Sequence, residues 1–262
     1  MSKINKKRKL LDTRTLVASS LLTAISIIFT RVFAVMVPLA GVPALRLSFG
    51  QIPIAITGIL FGPFAGGIAG AVADLVGFML NPGGGVFFPG FTLSSMLWGI
   101  IPGLFYKIMN NRRTGINFNI VNTIVIILLT VGLVNLVFSG GIISIENGNI
   151  TLSGSTLEIV ISIIAIVVAI VFIIIPFVIS RRYKEKEDRA RKSIYSIDKI
   201  VFIITISYVI ISLGLNTLWL TILYDSAFMA FLPGRILAGV FMIPIFSMAI
   251  YVLSKFFKYV RN

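Results

Sequence analysis

Residues 44–105 read ALRLSFGQIPIAITGILFGPFAGGIAGAVADLVGFMLNPGGGVFFPGFTLSSMLWGIIPGLF, and the choices made there decide the fold. Three apolar segments are joined by links too short to form a domain. The middle one is crowded with Gly and Ala and carries a lone carboxylate, Asp74. A Gly-rich, Phe-rich loop, Asn81 to Phe91, follows it. Small residues recur at four-residue spacing: Gly66 with Gly70, Gly67 with Ala71, Ala69 with Ala73. In lipid no hydrophobic effect drives helices together, so such spacing is what lets backbones approach closely. The stretch reads as the heart of a helical membrane protein.

The composition agrees. Of 262 residues, 57% are hydrophobic and 12% charged, with a mean hydropathy of +1.03. A soluble domain carries about a quarter charged residues. Cysteine and histidine are both absent. That removes disulfides, Cys/His metal sites, thiol or Ser-His-Asp nucleophiles and imidazole acid–base work.

Upstream, residues 1–14 hold Lys3, Lys6, Lys7, Arg8, Lys9 and Arg14, followed by an apolar run from Thr15 to Thr30. A secretory signal peptide begins in the same way. This run, however, is long, lacks a small-x-small cleavage site and is followed by more spans. It is read as the first transmembrane helix, with Ser20 and Ala24 as small residues on one face. Further spans of about twenty residues fall at 47–62, 63–80, 91–108, 117–138, 156–180, 199–222 and 233–254. Gly62-Pro63 suits a tight turn between two short helices. Pro53, Pro102, Pro176 and Pro244 lie inside helical runs, where they kink the helix or mark irregular turns. The expected fold is all-α, a polytopic bundle of eight transmembrane helices forming a single membrane domain.

With a cytoplasmic N-terminus, the inside segments are 1–14, 107–116, 181–199 and 255–262. They hold six, three, eight and three of the 23 Lys and Arg. That is the bias of the positive-inside rule, and an even helix count brings the C-terminus back to the cytoplasm. The net charge of +14 is then orientation charge with attraction to anionic membrane lipid, and it needs no nucleic acid.

Only Arg31, Arg46 and Arg235 fall on the outer side, each at or just inside a helix end. An arginine at mid-membrane costs about 2.5–3.5 kcal/mol on insertion scales, less near the interface. A single one can snorkel to headgroups. Three placed against the trend point to an anionic ligand arriving from outside, with Asp74 and Asp225 as acids on the same side. The outer loops add aromatic surface: Phe87, Phe88 and Phe91 beside Gly83-Gly84-Gly85, and Trp219, Tyr224 and Phe228 around the last outer loop. Asn216 lies one turn before Trp219, which gives a mixed stacking and hydrogen-bonding surface. Aromatic walls, a few polar groups and cationic ends suit a flat heteroaromatic molecule carrying carboxylates. Residues 139–155 read as a polar external turn or short hairpin, and 181–198 as a charged cytoplasmic loop.

Three strings carry a resemblance: ALRLSFGQIPIAITGILFGPFAGGIAGAVADLVGFML, FFPGFTLSSMLWGIIPGLFYK and LNTLWLTILYDSAFMAFLPGRILAGVFMIPI. They resemble the folate-specific substrate-binding subunits (S components) of energy-coupling factor (ECF) transporters. The likeness covers 14–110 and 199–258. Its specific parts are the Leu-Arg-x-Ser-Phe-Gly, Ala-Asp-x-x-Gly and Leu-Asn-Thr-Leu-Trp strings with the later Leu-Pro-x-Arg. It implies a six-helix core that captures a vitamin outside the bacterial cell membrane and topples to deliver it. The implied partners are a transmembrane coupling subunit, met by Ser20 and Ala24, and two cytoplasmic ATPases. Residues 117–180 depart from the pattern as an inserted transmembrane hairpin.

On this reading Arg31, Arg46 and Arg235 bind the ligand's carboxylates, since arginine's planar fork suits bidentate contact. Asn216 and Trp219 hydrogen-bond and stack, with Tyr224 beside them, and Phe88 and Phe91 form a gate. Ser48 and Gln51 add polar contacts. Asp74 either reads the edge of a pterin ring or pairs with an arginine and holds the bundle together. No cofactor is expected: no Gly-Lys dipeptide occurs, so there is no Walker A sequence, and ATP is hydrolysed by partner subunits. The competing classes are an S component for another vitamin or pterin-like solute, and a self-sufficient ion-coupled transporter, which usually shows internal repeats and mid-depth polar sites. An intramembrane enzyme would need paired reactive groups at one depth.

Overall fold

The computed structural model describes residues 13–39, 42–83, 85–111, 118–139, 143–146, 149–152, 167 and 197–261. Helices α1 (Thr13–Arg31), α2 (Gln51–Phe61), α3 (Pro63–Leu80), α4 (Pro89–Asn111) and α5 (Phe118–Ser139) follow the apolar runs of the first half. Strands β1 (Val35–Leu39) and β2 (Val42–Leu47) pair in a small sheet between α1 and α2, and β3 (Ile143–Glu146) pairs antiparallel with β4 (Asn149–Leu152). The second half carries α6 (Ile197–Ser207), a π-helical segment (Tyr208–Leu215), α7 (Asn216–Tyr224) and α8 (Phe228–Arg261).

Five helical spans among the described residues are long and apolar enough to cross a membrane: Thr13–Arg31, Pro63–Leu80, Pro89–Met109, Ile197–Tyr224 and Phe228–Leu253. The expected span 156–180, with Pro176, and the charged loop through residue 196 fall outside the described residues, apart from Val167. The turn or short hairpin expected within 139–155 is present as the β3–β4 pair. The span expected at 47–62 begins later, at Gln51, because residues 42–47 are drawn into β2. At 11 residues, α2 is about 16 Å long, roughly half a hydrocarbon core.

The chain divides into two compact units. The first comprises Met1–Val35 and Ser48–Ile108, with α1, α2 and α3 packed on one another. Its centre is a glycine crossing. A Cβ on Gly58 would collide with the carbonyl of Gly99, and one on Gly99 with the carbonyl of Gly66. Gly70 lies equally close to the Ser95 carbonyl, so Gly66 and Gly70 serve as the four-residue spacing predicts. Gly62 adopts φ 101°, a conformation nearly closed to other residues, and Pro63 then opens α3 where its missing N–H costs nothing.

Helix α3 shows why this unit belongs in lipid. Gly66, Gly67, Ala69, Gly70, Ala73 and Gly77 are buried, while Phe64, Ile68, Val72, Leu75 and Met79 are exposed. Small residues inward and large apolar residues outward reverse the pattern of a water-facing helix.

The second unit comprises Met36–Leu47 and Met109–Asn262. Helix α8 packs against α5, α6, the π segment, α7 and β2. Phe231, Ile204 and Ile211 are wholly buried there. The sequence predicts one regular helix over 199–222. The π segment interrupts it, with the Asn216 N–H bonded to the Ile211 carbonyl.

Candidate functional site

In the first unit the polar residues at the end of α1, on α3 and at the start of α4 are engaged with one another. Arg31 closes α1, and its Nη2 donates to the Asp74 backbone carbonyl at 3.2 Å and to Asp74 Oδ1 at 3.4 Å. Its Nη1 donates to the Asn81 carbonyl at 2.9 Å, and Asn81 Nδ2 returns a bond to the Arg31 carbonyl at 3.3 Å. Asp74 Oδ2 accepts from Thr92 Oγ1 at 2.7 Å. The ion pair has little contact with solvent, the two side chains being 6% and 18% exposed. The scaffold role considered for Asp74 therefore has a physical basis: both carboxylate oxygens have partners inside the unit.

Ser48, buried just before α2, donates from Oγ to Gln51 Oε1 at 3.1 Å. Phe88 and Phe91 form an edge-to-face pair with ring centroids 5.8 Å apart. Phe87 instead rests against Phe78 at 5.2 Å. Ser20 and Ala24 lie exposed on α1 in line with Val17, Leu21 and Ile28, which are exposed too.

In the second unit the focus is Arg235, which is 4% exposed. Its Nη1 donates to the Ser212 carbonyl at 3.2 Å and to Ser212 Oγ at 3.4 Å. Its Nη2 donates to the Ala44 carbonyl on β2 at 3.0 Å. The Tyr208 hydroxyl donates to the Arg235 backbone carbonyl at 3.0 Å, and a Cβ on Gly239 would stand 2.7 Å from the Tyr208 ring. Among the described residues every acceptor of the Arg235 guanidinium is neutral and no carboxylate pairs with it.

Five buried polar atoms of this unit lack a hydrogen-bond partner among the described residues: Asn122 Oδ1, Thr205 Oγ1, Asn216 Oδ1, Arg235 Nε and Ser247 Oγ. Such atoms cost about 1–3 kcal/mol each and are the kind of group a ligand satisfies. Asn216 opens α7 and Trp219 follows one turn later, both half-buried, as is Tyr224 at the end of the helix. Arg46 is half-buried on β2, two residues from Ala44 and hence on the same strand face.

The three arginines are thus in different settings. Arg31 has a carboxylate partner in the first unit, whereas among the described residues Arg235 has only neutral acceptors in the second, where Arg46 lies on β2. Sequence reasoning missed Thr92, Asn81, Ser212 and Tyr208. Ser212 carried a usable signal, because Ser212, Asn216 and Trp219 share a helical stripe. Thr92 carried none.

A family model described as "ECF-type riboflavin transporter, S component" matches residues 10–185. A curated relative, the folate transporter FolT of Clostridium novyi (strain NT), is 42% identical over 82 residues, which is 31% of this chain and 44% of that protein. The matched stretch thus spans under half the length of that relative. The crystal structure of FolT bound with folic acid superposes with a TM-score of 0.51 at 22% identity, over 92% of this chain and 94% of that one. At that identity the likeness is one of fold.

Proposed function

The chain belongs to the family of ECF-type riboflavin transporter S components, transporter subunits rather than enzymes, and on that premise we propose that it captures folate for an ATP-driven importer. The observation that carries this reading is the Arg235 guanidinium, buried with neutral acceptors only and with Nε unsatisfied among the described residues. A buried charge is expensive unless an opposite charge reaches it. Folate brings glutamate carboxylates. Riboflavin, the vitamin in the family's description, has a neutral ribityl tail and would leave that charge uncompensated. The curated relative is itself a folate transporter, which supports the same choice.

In this reading Arg46 and Arg235 take the carboxylates, while Asn216, Trp219 and Tyr224 meet the ring system. Phe88 and Phe91 keep the gate role read from the sequence, and Asp74 takes its scaffold role with Arg31 and Thr92. The chain works with an ECF coupling subunit and two cytoplasmic ATPases and topples to release its cargo. The exposed Ser20 and Ala24 on α1 are the assigned contacts with the coupling subunit. The protein sits in the bacterial cell membrane with both termini cytoplasmic and residues 117–180 as an added hairpin on the 14–110 and 199–258 core.

Mass spectrometry of the small molecule that co-purifies with the detergent-solubilised protein tests the reading, backed by titration with folate and riboflavin. Folate or a reduced derivative is expected. Co-purified riboflavin, with no folate binding on titration, would replace folate as the substrate.

A further inference from the structure

Helical threonines of this protein normally turn their hydroxyls back on their own helix. Thr23, Thr30, Thr57, Thr130 and Thr221 each donate to the carbonyl four residues earlier, at 2.7–3.1 Å. This local back-bond is the usual satisfaction of a helical hydroxyl. Thr92, in the first turn of α4, does otherwise. Its Oγ1 reaches out of the helix to Asp74 Oδ2 on α3 at 2.7 Å, a short bond to an ionised acceptor and therefore a strong one.

The same carboxylate holds α1 through Arg31, and Arg31 holds Asn81 just beyond the end of α3. Asp74 thereby ties the first turn of α4 to two other helices. That turn carries Phe91, whose N–H donates to the Phe88 carbonyl at 3.0 Å and whose ring meets Phe88 edge-to-face. Any rotation of the first turn of α4 rotates the pair.

We propose that Thr92 is a positioning residue for ligand capture: acting through Asp74, it fixes the Phe88–Phe91 ring pair against α1 and α3. The ligand part of this inference rests on the gate role given to that pair in the folate reading; the positioning part does not. Thr92 touches no ligand. Its loss leaves the aromatic side chains in place but frees their orientation, so bound vitamin escapes faster while encounter is little changed.

The test uses the full chain in detergent, with 4-fluorophenylalanine at position 88, and compares wild type, Thr92→Val and Thr92→Ser. In the ligand-free protein, fluorine NMR should show a shifted or broadened resonance for Thr92→Val and recovery in Thr92→Ser. With folate bound, the dissociation rate should rise about fivefold in Thr92→Val, with the association rate within about twofold and Thr92→Ser near wild type. A fluorine resonance identical in all three proteins overturns the positioning role, whether or not folate binds. A shifted resonance with unchanged folate dissociation overturns the link to capture. A wild type that binds no folate sinks the substrate assignment instead, and the fluorine comparison still decides the positioning role. If Thr92→Val does not fold, Asp74→Asn removes the ionised acceptor with nearly the same volume and should give the same two changes.

Discussion

Arg235 Nη2 donates to the carbonyl of Ala44 at 3.0 Å, joining residues 191 positions apart in the chain. The bond ties α8 to β2, the strand that also carries Arg46. Helix α8 therefore brings a buried cation to the backbone of a strand whose side chains include a second one. Ser212 completes the arrangement, since its carbonyl accepts Thr217 Oγ1 as well as Arg235 Nη1. The π segment thus supplies a polar acceptor in the middle of an apolar span.

Arg235→Lys keeps the charge and loses the planar fork. Lysine's single ammonium cannot reproduce donation to both Ser212 and Ala44 while also meeting a carboxylate. Folate affinity, measured by isothermal titration in detergent, is expected to fall at least tenfold. Wild-type affinity in Arg235→Lys would show that the fork is not used by the ligand.

Arg46→Ala tests the second cation, which is half-buried on β2. A tenfold loss of folate affinity is expected, about 1.4 kcal/mol, with the unliganded protein still folded, as a cooperative thermal transition would show. Affinity equal to wild type removes Arg46 from the site.

Gly99→Ala addresses the packing of the first unit. The added methyl would meet the Gly66 carbonyl at an impossible distance and also lie 2.7 Å from Gly66 Cα. Backbone cannot swing away as a side chain can, so α3 and α4 must separate. Overpacking of this kind costs about 1–3 kcal/mol. A clearly lowered apparent Tm in a detergent thermal-shift assay is expected; a Tm equal to wild type would mean that the crossing is looser than it looks.

The helices of this fold were legible because lipid enforces long apolar runs, and α1, α3, α4 and α8 lie close to where those runs do. The glycine crossing was legible too, since small residues at four-residue spacing have few other uses in a membrane helix. β1 and β2 were not: Val42–Leu47 is as apolar as a helix start, and its strand pairing depends on a partner segment. The π segment was hidden for a similar reason, because Ser212's acceptors are used by Thr217 and by Arg235, which is 23 residues away. At the site, residue type pointed to Arg31 and Arg235, but their difference in setting was invisible. Whether an arginine ends beside a carboxylate or among neutral carbonyls is a matter of tertiary packing.

Orientation is open to direct measurement because the chain has no cysteine. Ser226, in the turn between α7 and α8, follows Asp225 with its φ of 47°. Ser226→Cys should react with a membrane-impermeant maleimide on intact cells. Ser193→Cys, in the basic loop read as cytoplasmic, should react only after permeabilisation. The reverse pattern would invert the topology and with it the side from which ligand is captured.

Trp219 offers a readout of where the ring system binds. The chain has two tryptophans, and the other, Trp98, is 5% exposed on α4. Trp98→Phe leaves Trp219 as the sole indole. A pteridine stacked on it should quench its emission by energy and electron transfer that require close approach, so quenching should saturate at one equivalent of folate. Riboflavin also absorbs in the emission band and would quench if bound; quenching alone therefore does not identify the vitamin. Competition does, because folate bound through carboxylates should resist displacement by a neutral-tailed flavin. No quenching at saturating folate, with binding shown calorimetrically, would place Trp219 away from the ring and leave Asn216 as the polar contact on α7.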